Sequence, residues 1–347
     1  MSADRIVRMY GVGGPEVLRL EAVAPEAPRP GEVRLRVRAI GLNNSEAQYR
    51  RGEYPLRDTT FPTRIGRECS GVVEVLGDGV TGVAVGDFVS TIPAFDIQRG
   101  GVYGEWAVVP AAALVPVPAG LSHIEAAASW QQYLTAYGPL VERGDLGQGD
   151  VVLITAASSS VGRGAIQMAR LLGCGVIATT RGRAKRDLLL AGGANHVIVT
   201  EEEDLTTRVA DITGGKGFKL ALDPIAGPGL AGLAEAAGQS ATIVEYGQLS
   251  RDPAPFPLLP VLRKHLTIRG YTLWEITLDP ARRERAVQFI SGHLARGTLR
   301  PVIDRVFRLD DIVEAHHYIE SGRQTGKIVI DVEGGESESG VTLSPRA

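Results

Sequence analysis

Short apolar runs separated by Gly, Pro and Asp dominate the first third of the chain. Examples are VRLRVRAIG at 33–41, CSGVVEVLG at 69–77 and GDFVSTI at 86–92. Brief apolar segments between turn residues are typical of β-strands. The pattern therefore predicts a mostly β domain over residues 1–125.

After residue 125 the apolar runs alternate with amphipathic segments. VVLITA (151–156) and CGVIATT (174–180) are continuous apolar runs, as expected of strands that are buried on both faces. Between them, GRGAIQMARLLG (162–173) has the period of an amphipathic helix. Strand–helix alternation builds a parallel sheet from βαβ units. The sequence therefore predicts an α/β fold, with a doubly wound parallel-sheet domain over residues 126–299.

The two ends of this second region also carry signals. Ser122 and Glu125 form a capping-box pattern before EAAASWQQYLTAYGPLVERG, which predicts one helix there. VIDRVF and GKIVIDV, near the end of the chain, are expected to rejoin the first domain, so that this domain comprises residues 1–125 and 300–332. The polar, Gly- and Ser-rich residues 333–347 are predicted to be disordered.

Composition narrows the classes of function. The net charge of −3 provides no basic field for nucleic acid. The chain has no run of about 20 apolar residues that would span a membrane, and MSADRIVRMYG does not resemble a secretory signal. Two cysteines exclude a disulfide framework and favour a reducing, cytoplasmic location.

The first apolar run of the parallel-sheet region leads directly into a loop of small residues and then a helix, as a dinucleotide-binding turn requires. In the frame G-x-G-x-x-G, Ala157 and Ser159 replace the first two glycines and Gly162 is kept. Small residues let a diphosphate approach the backbone, and the helix N-terminus supplies N–H donors. A tight turn without a ligand is the alternative. The predicted cofactor contacts are Ala157, Ser158, Ser159, Ser160, Val161 and Gly162.

The end of the next strand indicates which dinucleotide is bound. NADH sites place an acidic residue there for the ribose 2′-hydroxyl, but residues 179–186 contain four cations and no acid. Hydroxyl and guanidinium groups suit a 2′-phosphate, so the sequence predicts NADPH. A solvated basic helix start is the alternative. The predicted contacts are Thr180, Arg181, Arg183 and Lys185.

Several stretches together resemble the medium-chain dehydrogenase/reductase superfamily, over about residues 5–332. They include GVVEVLGDGVTGVAVGD (71–87), GVYGEWAVVP (101–110) and TGKIVI (325–330). Within the superfamily, the chain looks like the quinone oxidoreductase and enoyl reductase branches. The resemblance implies a GroES-like β domain followed by a Rossmann domain, with the active site between them. It also implies a homodimer joined through Rossmann edge strands.

The zinc ligands of alcohol dehydrogenases in this superfamily are replaced. Asn43, in GLNNSE, stands where they carry a Cys, and Arg67, in Gly66-Arg67-Glu68, stands where they carry a His. A guanidinium has no free lone pair, and Glu68 alone cannot build a catalytic zinc site, which needs three protein ligands. We therefore expect no metal.

Without a metal, reduction of an activated double bond is the favoured chemistry. NADPH would give hydride to the β-carbon of an enone, quinone or enoyl thioester, while negative charge develops on the carbonyl oxygen. The protein then has to position the partners and place hydrogen-bond donors at that oxygen.

Tyr54 and Asn43 are the catalytic candidates. Tyr54, in RRGEYP, matches a tyrosine of the resembling enoyl reductases that donates a hydrogen bond or proton, although a packed loop tyrosine is the alternative. Asn43 matches an Asn of quinone reductases and is expected to contact the substrate or the nicotinamide. Tyr49 is a weaker candidate for contact with the substrate.

Further residues are expected to line the cleft. Arg67 is predicted to hold an anionic or carbonyl substrate, with a surface salt bridge as the alternative. Trp274 is predicted to line an apolar pocket, with core packing as the alternative. Tyr246 and Gly247 follow a strand of the parallel sheet and are expected near the nicotinamide, because ligands of such sheets lie at the carboxyl ends of strands.

The sequence favours an NADPH-dependent quinone or enone reductase with a small-molecule substrate. Three alternatives stay open. The first is an enoyl thioester reductase of fatty-acid or polyketide metabolism, for which Arg50, Arg51 and Arg57 would attract the phosphates of coenzyme A or of a carrier. The others are an NADP-dependent alcohol dehydrogenase and a non-catalytic NADPH-binding protein.

Overall fold

The computed structural model describes residues 4–54, 59–143 and 145–334. Arg57 and residues 335–347, which are most of the tail predicted to be disordered, lie outside the described residues. Within the described ranges, no helix is long and apolar enough to cross a bilayer.

Strands occur in both halves of the chain. In the described residues they are β1 (Arg5–Met9), β2 (Leu18–Ala22), β3 (Glu32–Leu42), β4 (Cys69–Leu76), β5 (Phe88–Thr91), β6 (Trp106–Pro110), β7 (Leu114–Pro116), β8 (Val151–Ile154), β9 (Gly175–Thr180), β10 (His196–Val199), β11 (Phe218–Asp223), β12 (Ala237–Glu245), β13 (Thr267–Gly270), β14 (Ile303–Arg308) and β15 (Lys327–Asp331).

Helices are short in the first part of the chain and longer in the second. In the described residues they are α1 (Asn44–Arg50), α2 (Ile97–Gly100), α3 (His123–Ala127), α4 (Trp130–Tyr137), α5 (Ser160–Leu171), α6 (Arg186–Ala191), α7 (Leu205–Thr213), α8 (Gly229–Ala236), α9 (Leu258–Lys264), α10 (Trp274–Thr277), α11 (Pro280–Ala295) and α12 (Ile312–Glu320).

The first sheet has β3 at its centre. Its strand order is β14-β15-β3-β4-β5-β7, and β6 also pairs with β3. Along β3 the side chains of Val33 and Leu35 are buried in the core, whereas Arg34 and Arg36 bind Glu74 on the neighbouring strand β4. This is the alternation expected of a strand with one face on the core. The late strand β15 runs antiparallel to β3, so VIDRVF and GKIVIDV do rejoin this sheet.

The second sheet is parallel in every pairing, as predicted. Its strand order is β10-β9-β8-β11-β12-β13. Val152, Leu153 and Ile154 of the central strand β8 are fully buried, because helices cover both faces of the sheet. The strand order reverses between β8 and β11, and ligands of doubly wound sheets bind in the crevice at that point.

The helix predicted after Ser122 is divided into two. Its capping box is confirmed, since Ser122 Oγ accepts a hydrogen bond from the N–H of Glu125 at 3.2 Å. The prediction of one continuous helix is wrong at residues 128–129. The carboxylate of Glu68, just before β4, caps the second helix. Its Oε1 accepts a hydrogen bond from the N–H of Trp130 at 2.6 Å.

Candidate active site

A cleft of about 1880 Å³ lies between the two sheets and takes its walls from both. This exceeds the volume of about 300–1,000 Å³ that is usual for a small-ligand pocket. One wall consists of the carboxyl ends of β8, β9, β11 and β12, and the other contains the start of α1 and the segment before β4. The cleft therefore has room for a dinucleotide and a substrate together.

The turn after β8 forms one end of the cleft. Ser159 caps α5, with its Oγ accepting from the N–H of Gly162 at 3.1 Å. A Cβ on Gly162 would lie 2.6 Å from backbone atoms of Ala157, so only glycine lets the helix pack this closely on the turn. Ser158, Ser159, Ser160 and Val161 line the cleft, whereas Ala157 is buried beneath it.

The basic side chains that follow β9 have different surroundings and different hydrogen-bond partners. Arg181 is exposed at the cleft and has no ion-pair partner among the described residues. Lys185 Nζ donates to Ser158 Oγ at 3.3 Å and to the carbonyl oxygens of Gly322 and Gln324 at 2.9 Å each. Burial and the nearby Arg181 lower the pKa of Lys185.

Arg183 does not line the cleft, unlike Arg181 and Lys185. It lies outside the cleft lining, with a 76% exposed side chain that is paired with Glu202 at 2.5 Å. Because Arg183 is paired outside the cleft, nothing in the structure supports its predicted contact with the cofactor, which stays a prediction. Thr180 lines the cleft, where its Oγ1 donates to the carbonyl of Gly182.

Two carboxyl groups lie side by side where β11 and β12 end. Asp223 is 1% exposed and accepts hydrogen bonds from the hydroxyl of Thr155 and from the N–H groups of Ile225 (3.1 Å) and Ala226 (2.8 Å). Both carboxyl oxygens of Glu245 are buried, and its carboxyl group lies beside that of Asp223. Burial, and then the neighbouring Asp223, raise the pKa of Glu245 to about 8. Glu245 therefore carries a proton near pH 7.

Sequence reasoning expected Glu245, Tyr246 and Gly247 near the nicotinamide, but it did not foresee the raised pKa of Glu245. Tyr246 and Gly247 both line the cleft. The hydroxyl of Tyr246 is buried without a hydrogen-bond partner, and burial raises its pKa. A Cβ on Gly247 would lie 3.0 Å from the carbonyl oxygen of Pro224, so the loop closes tightly over the strand ends. An acid at the end of an apolar strand is the signal that identifies Glu245.

Asn43 lies at the cleft, but its amide is already engaged. Its Nδ2 donates to the carbonyl of Gly41 at 3.1 Å and to Glu68 Oε2 at 3.2 Å, and its Oδ1 accepts from Lys327 Nζ at 2.6 Å. Because both amide protons and the oxygen have partners, the structure gives Asn43 a positioning role toward these groups.

Glu68 and Lys327 form a fully buried ion pair behind Asn43. Their Oε2–Nζ distance is 2.6 Å, and both side chains are 0% exposed. The other oxygen of Glu68 accepts from the N–H groups of Trp130 at 2.6 Å and Gln131 at 3.0 Å. The pair thus joins the first sheet to the N-terminus of α4. Lys327 was not singled out in the sequence, although a lysine in an otherwise apolar strand was a usable signal.

Tyr54, Arg67 and Trp274 lie together in the cleft. The guanidinium carbon of Arg67 lies 5.3 Å from the ring centre of Tyr54 and 5.4 Å from that of Trp274. The indole N–H of Trp274 donates to the hydroxyl oxygen of Tyr54 at 3.2 Å. We call these three residues the aromatic–arginine cage.

Tyr49 and Arg50 do not line the cleft, whereas Arg51 lines it as predicted. Tyr49 is 2% exposed, packs in the core of the first sheet and does not line the cleft. Its place on the buried face of α1 corrects the prediction that it contacts substrate. Arg50 is buried and bound to Glu320 and to the carbonyl of Gly13, and Arg51 is paired with Glu320 at 2.5 Å. Neither guanidinium is free to bind an incoming phosphate.

The residues at the position of a catalytic zinc do not fit a metal ion. Arg67 is a cation, and both oxygens of Glu68 already accept hydrogen bonds. Across the described residues, no group of three or more His, Cys, Asp and Glu side chains could hold a metal. Cys69 and Cys174 are both buried and unbridged.

Comparison with known proteins finds two family models along the chain. Residues 29–119 match the alcohol dehydrogenase GroES-like domain, and residues 192–330 match a model described as zinc-binding dehydrogenase. A quinone oxidoreductase of Pseudomonas aeruginosa is 31% identical over 326 residues, which cover 93% of this chain and 98% of that protein.

A second similar protein is much longer. It is a phenolphthiocerol/phthiocerol polyketide synthase of Mycobacterium tuberculosis, 31% identical over 318 residues, which are 91% of this chain. The chain spans only 14% of the length of that synthase polypeptide.

Solved structures share the architecture over nearly the full length. A protein described as an NAD-dependent alcohol dehydrogenase superposes with a TM-score of 0.86 at 32% identity, covering 94% of this chain and 99% of its own. The Escherichia coli quinone oxidoreductase complexed with NADPH also has a TM-score of 0.86, at 26% identity, and covers 94% of this chain and 100% of its own.

Proposed function

Because this chain belongs to the medium-chain dehydrogenase/reductase superfamily, in its quinone oxidoreductase branch, we propose that it is an NADPH-dependent, zinc-independent reductase of quinones or enones. One observation carries the proposal. The cleft that holds the dinucleotide-binding turn also holds the aromatic–arginine cage, at a position where the residues do not fit a metal.

The residues along the parallel-sheet wall fit NADPH. The N-terminus of α5, with Ser158 and Ser160, is suited to a diphosphate. Thr180, Arg181 and Lys185 offer a hydroxyl and two cations to a 2′-phosphate, and the free guanidinium of Arg181 is the strongest candidate. The NADPH complex of the Escherichia coli enzyme supports this assignment.

When it is bound, NADPH supplies the hydride. The chain itself orients the substrate and stabilises the charge that develops on its carbonyl oxygen. The hydroxyl of Tyr54 already accepts from Trp274, which leaves its own proton free to donate to that oxygen. Asn43, held by Lys327 and Glu68, fixes the start of α1 beside the substrate.

A different chemistry, enoyl thioester reduction, is the second candidate. It is favoured by the similarity to a segment of a polyketide synthase. The ion pairs of Arg50 and Arg51 weigh against it, because the phosphates of a thioester carrier would have to displace Glu320.

A screen of NADPH oxidation tests the proposal. The purified protein is assayed with quinones, enones, enoyl thioesters and, in the reverse direction with NADP, alcohols. We expect turnover of quinones or enones with NADPH, and at least tenfold lower kcat/KM with NADH. Turnover confined to alcohols, together with bound zinc in metal analysis, would contradict the proposal and indicate a zinc-dependent alcohol dehydrogenase.

We also propose a homodimer located in the cytoplasm. In the described residues, β13 is an edge strand, and helix α9, which precedes it in the chain and packs on β12, exposes Leu258, Leu259 and Leu262, each more than half exposed. Association through this edge would cover the apolar side chains and the unpaired strand. The two unbridged cysteines are compatible with a reducing compartment.

A further inference from the structure

Arg67 is a buried cation that has no acidic partner among the described residues. Arg67 is only 6% exposed to solvent. Among the described residues, no carboxylate lies within 4.0 Å of its guanidinium, and its Nε is buried without a hydrogen-bond partner. An uncompensated buried charge is strongly unfavourable, so a site of this kind is completed by an anion.

The nearby described acids form no ion pair with Arg67. Glu68 is engaged by Lys327, Asn43 and the N-terminus of α4. Glu46 accepts a hydrogen bond from the N–H of Asn43 at 2.6 Å, and its other oxygen has no partner. Burial raises the pKa of Glu46 to about 7 in spite of the attraction of Arg67. Neither Glu68 nor Glu46 forms an ion pair with Arg67, which lines the cleft, so its guanidinium is open to a ligand there.

The surroundings of Arg67 orient it for a planar anion. Tyr54, from the first sheet's side, and Trp274, from the second, place their rings beside the guanidinium. Aromatic rings stabilise a cation and exclude water but carry no net charge. The preceding Gly66 has φ +99°, and a Cβ there would lie 2.2 Å from the ring of Tyr103, so the backbone that carries Arg67 is fixed.

We propose that Arg67 binds a permanent carboxylate on the substrate, and that the natural substrate is a quinone or enone that carries a carboxylate group. The inference rests on the proposed reductase function and specifies its substrate class. A neutral carbonyl could accept hydrogen bonds from Arg67, but it would not compensate the charge before hydride transfer. A guanidinium fork matches a carboxylate in two parallel hydrogen bonds.

A matched substrate pair tests the proposal. An enone with a terminal carboxylate is compared with its methyl ester, using wild type, Arg67→Gln and Arg67→Lys with NADPH. We expect the wild type to prefer the acid at least tenfold in kcat/KM. Arg67→Gln should lose about 100-fold on the acid, as removal of one partner of a buried charge pair does, and at least tenfold less than that on the ester, where only the packing of Tyr54 and Trp274 is disturbed. Arg67→Lys should be intermediate.

Arg305→Gln is the matched control, since Arg305 also stacks on aromatic rings, 4.3 Å from the centre of Tyr318, but lies outside the cleft. It should leave both substrates unaffected. If Arg67→Gln lowers kcat/KM equally for the acid and the ester, the carboxylate assignment is overturned. Arg67 would then be assigned to binding the carbonyl oxygen instead.

Calorimetry separates this proposal from the proposed function. The saturated analogue of the acid is titrated into wild type and Arg67→Lys without any turnover. Binding that weakens at least tenfold in the variant supports the carboxylate site even if no enone is reduced. Absence of binding to the wild type overturns it even if neutral quinones are good substrates.

Discussion

At the scale of single residues, the site depends on a few buried charges whose protonation can be tested. Glu245, at the end of β12, is protonated below a pKa of about 8 because burial and Asp223 both disfavour its anion. Ionisation above that pH places a negative charge beside Asp223, on the wall proposed to hold the dinucleotide. The proton on Glu245 is therefore expected to favour cofactor binding.

The affinity for NADPH should decrease as the pH rises through about 8. Fluorescence titration of NADPH between pH 6.5 and 9.5 measures this directly. Glu245→Gln, which keeps the shape without the titrating proton, should bind equally well across the range. An identical pH dependence in wild type and variant would show that another group titrates.

The buried pair of Glu68 and Lys327 should matter chiefly for stability. Lys327→Met leaves the Glu68 carboxylate buried without its cation, so the free energy of unfolding should fall by about 3–5 kcal/mol. The double variant Glu68→Gln, Lys327→Met removes the orphaned charge and should recover part of the loss. Urea denaturation of the four proteins in this cycle measures the coupling, and strictly additive losses would argue against it.

At the scale of elements, the strand–turn–helix unit β8–α5 fixes where the cofactor can bind. Gly162→Ala should displace α5 from the turn, because its Cβ would overlap the backbone of Ala157. We expect NADPH affinity to fall at least tenfold, as measured by fluorescence titration.

Gly232→Ala provides the control for this substitution. Gly232 lies within α8 and its Cβ would make only ordinary contact, at 3.8 Å from Leu205. Replacing a helical glycine by alanine there should stabilise the protein by about 0.5–1 kcal/mol and leave NADPH affinity unchanged. Equal affinities in both variants would mean that the turn is not the diphosphate site.

The sequence predicts elements well where the pattern is local. The parallel strands from 151 to 245 and the cap at Ser122 follow from apolar runs and capping residues nearby in the chain. The break in the helix before Trp130 does not follow from any nearby residues, because the carboxylate of Glu68 that caps α4 is 62 residues away in the chain. Likewise, the aromatic–arginine cage joins Tyr54 to Trp274 across 220 positions, and no local pattern reveals such a contact.

Partners that are distant in the chain also decide which predicted site residues reach the cleft. Arg181 and Arg183 look alike in the sequence, but Glu202 engages only Arg183. Tyr49 and Tyr54 flank the same basic stretch, but the helical period of α1 buries Tyr49 in the core.

At the scale of the whole molecule, two sheets contribute opposite walls of one cleft. The matches at 29–119 and 192–330 locate the family's two models, while the domain boundaries at 125/126 and 299/300 stay a prediction. Because each sheet forms one wall, charged residues beside the first sheet lie opposite the carboxyl ends of the strands of the second sheet.

The apolar edge beside β13 should control association. Leu259→Glu with Leu262→Glu places two charges on the exposed face of α9, where these side chains are 68% and 61% exposed. We expect the mass in solution, measured by light scattering, to change from dimer to monomer while circular dichroism stays the same. A monomeric wild type would contradict the proposed homodimer.

The central claim is that this molecule transfers hydride from NADPH to a conjugated carbonyl compound without a metal ion. The most direct measurement is the rate of NADPH oxidation by protein dialysed against a chelator, with zinc content measured on the same sample. The account predicts full turnover at less than one zinc per ten chains and no gain when zinc is added. Loss of turnover on chelation, with recovery on addition of zinc, would contradict it.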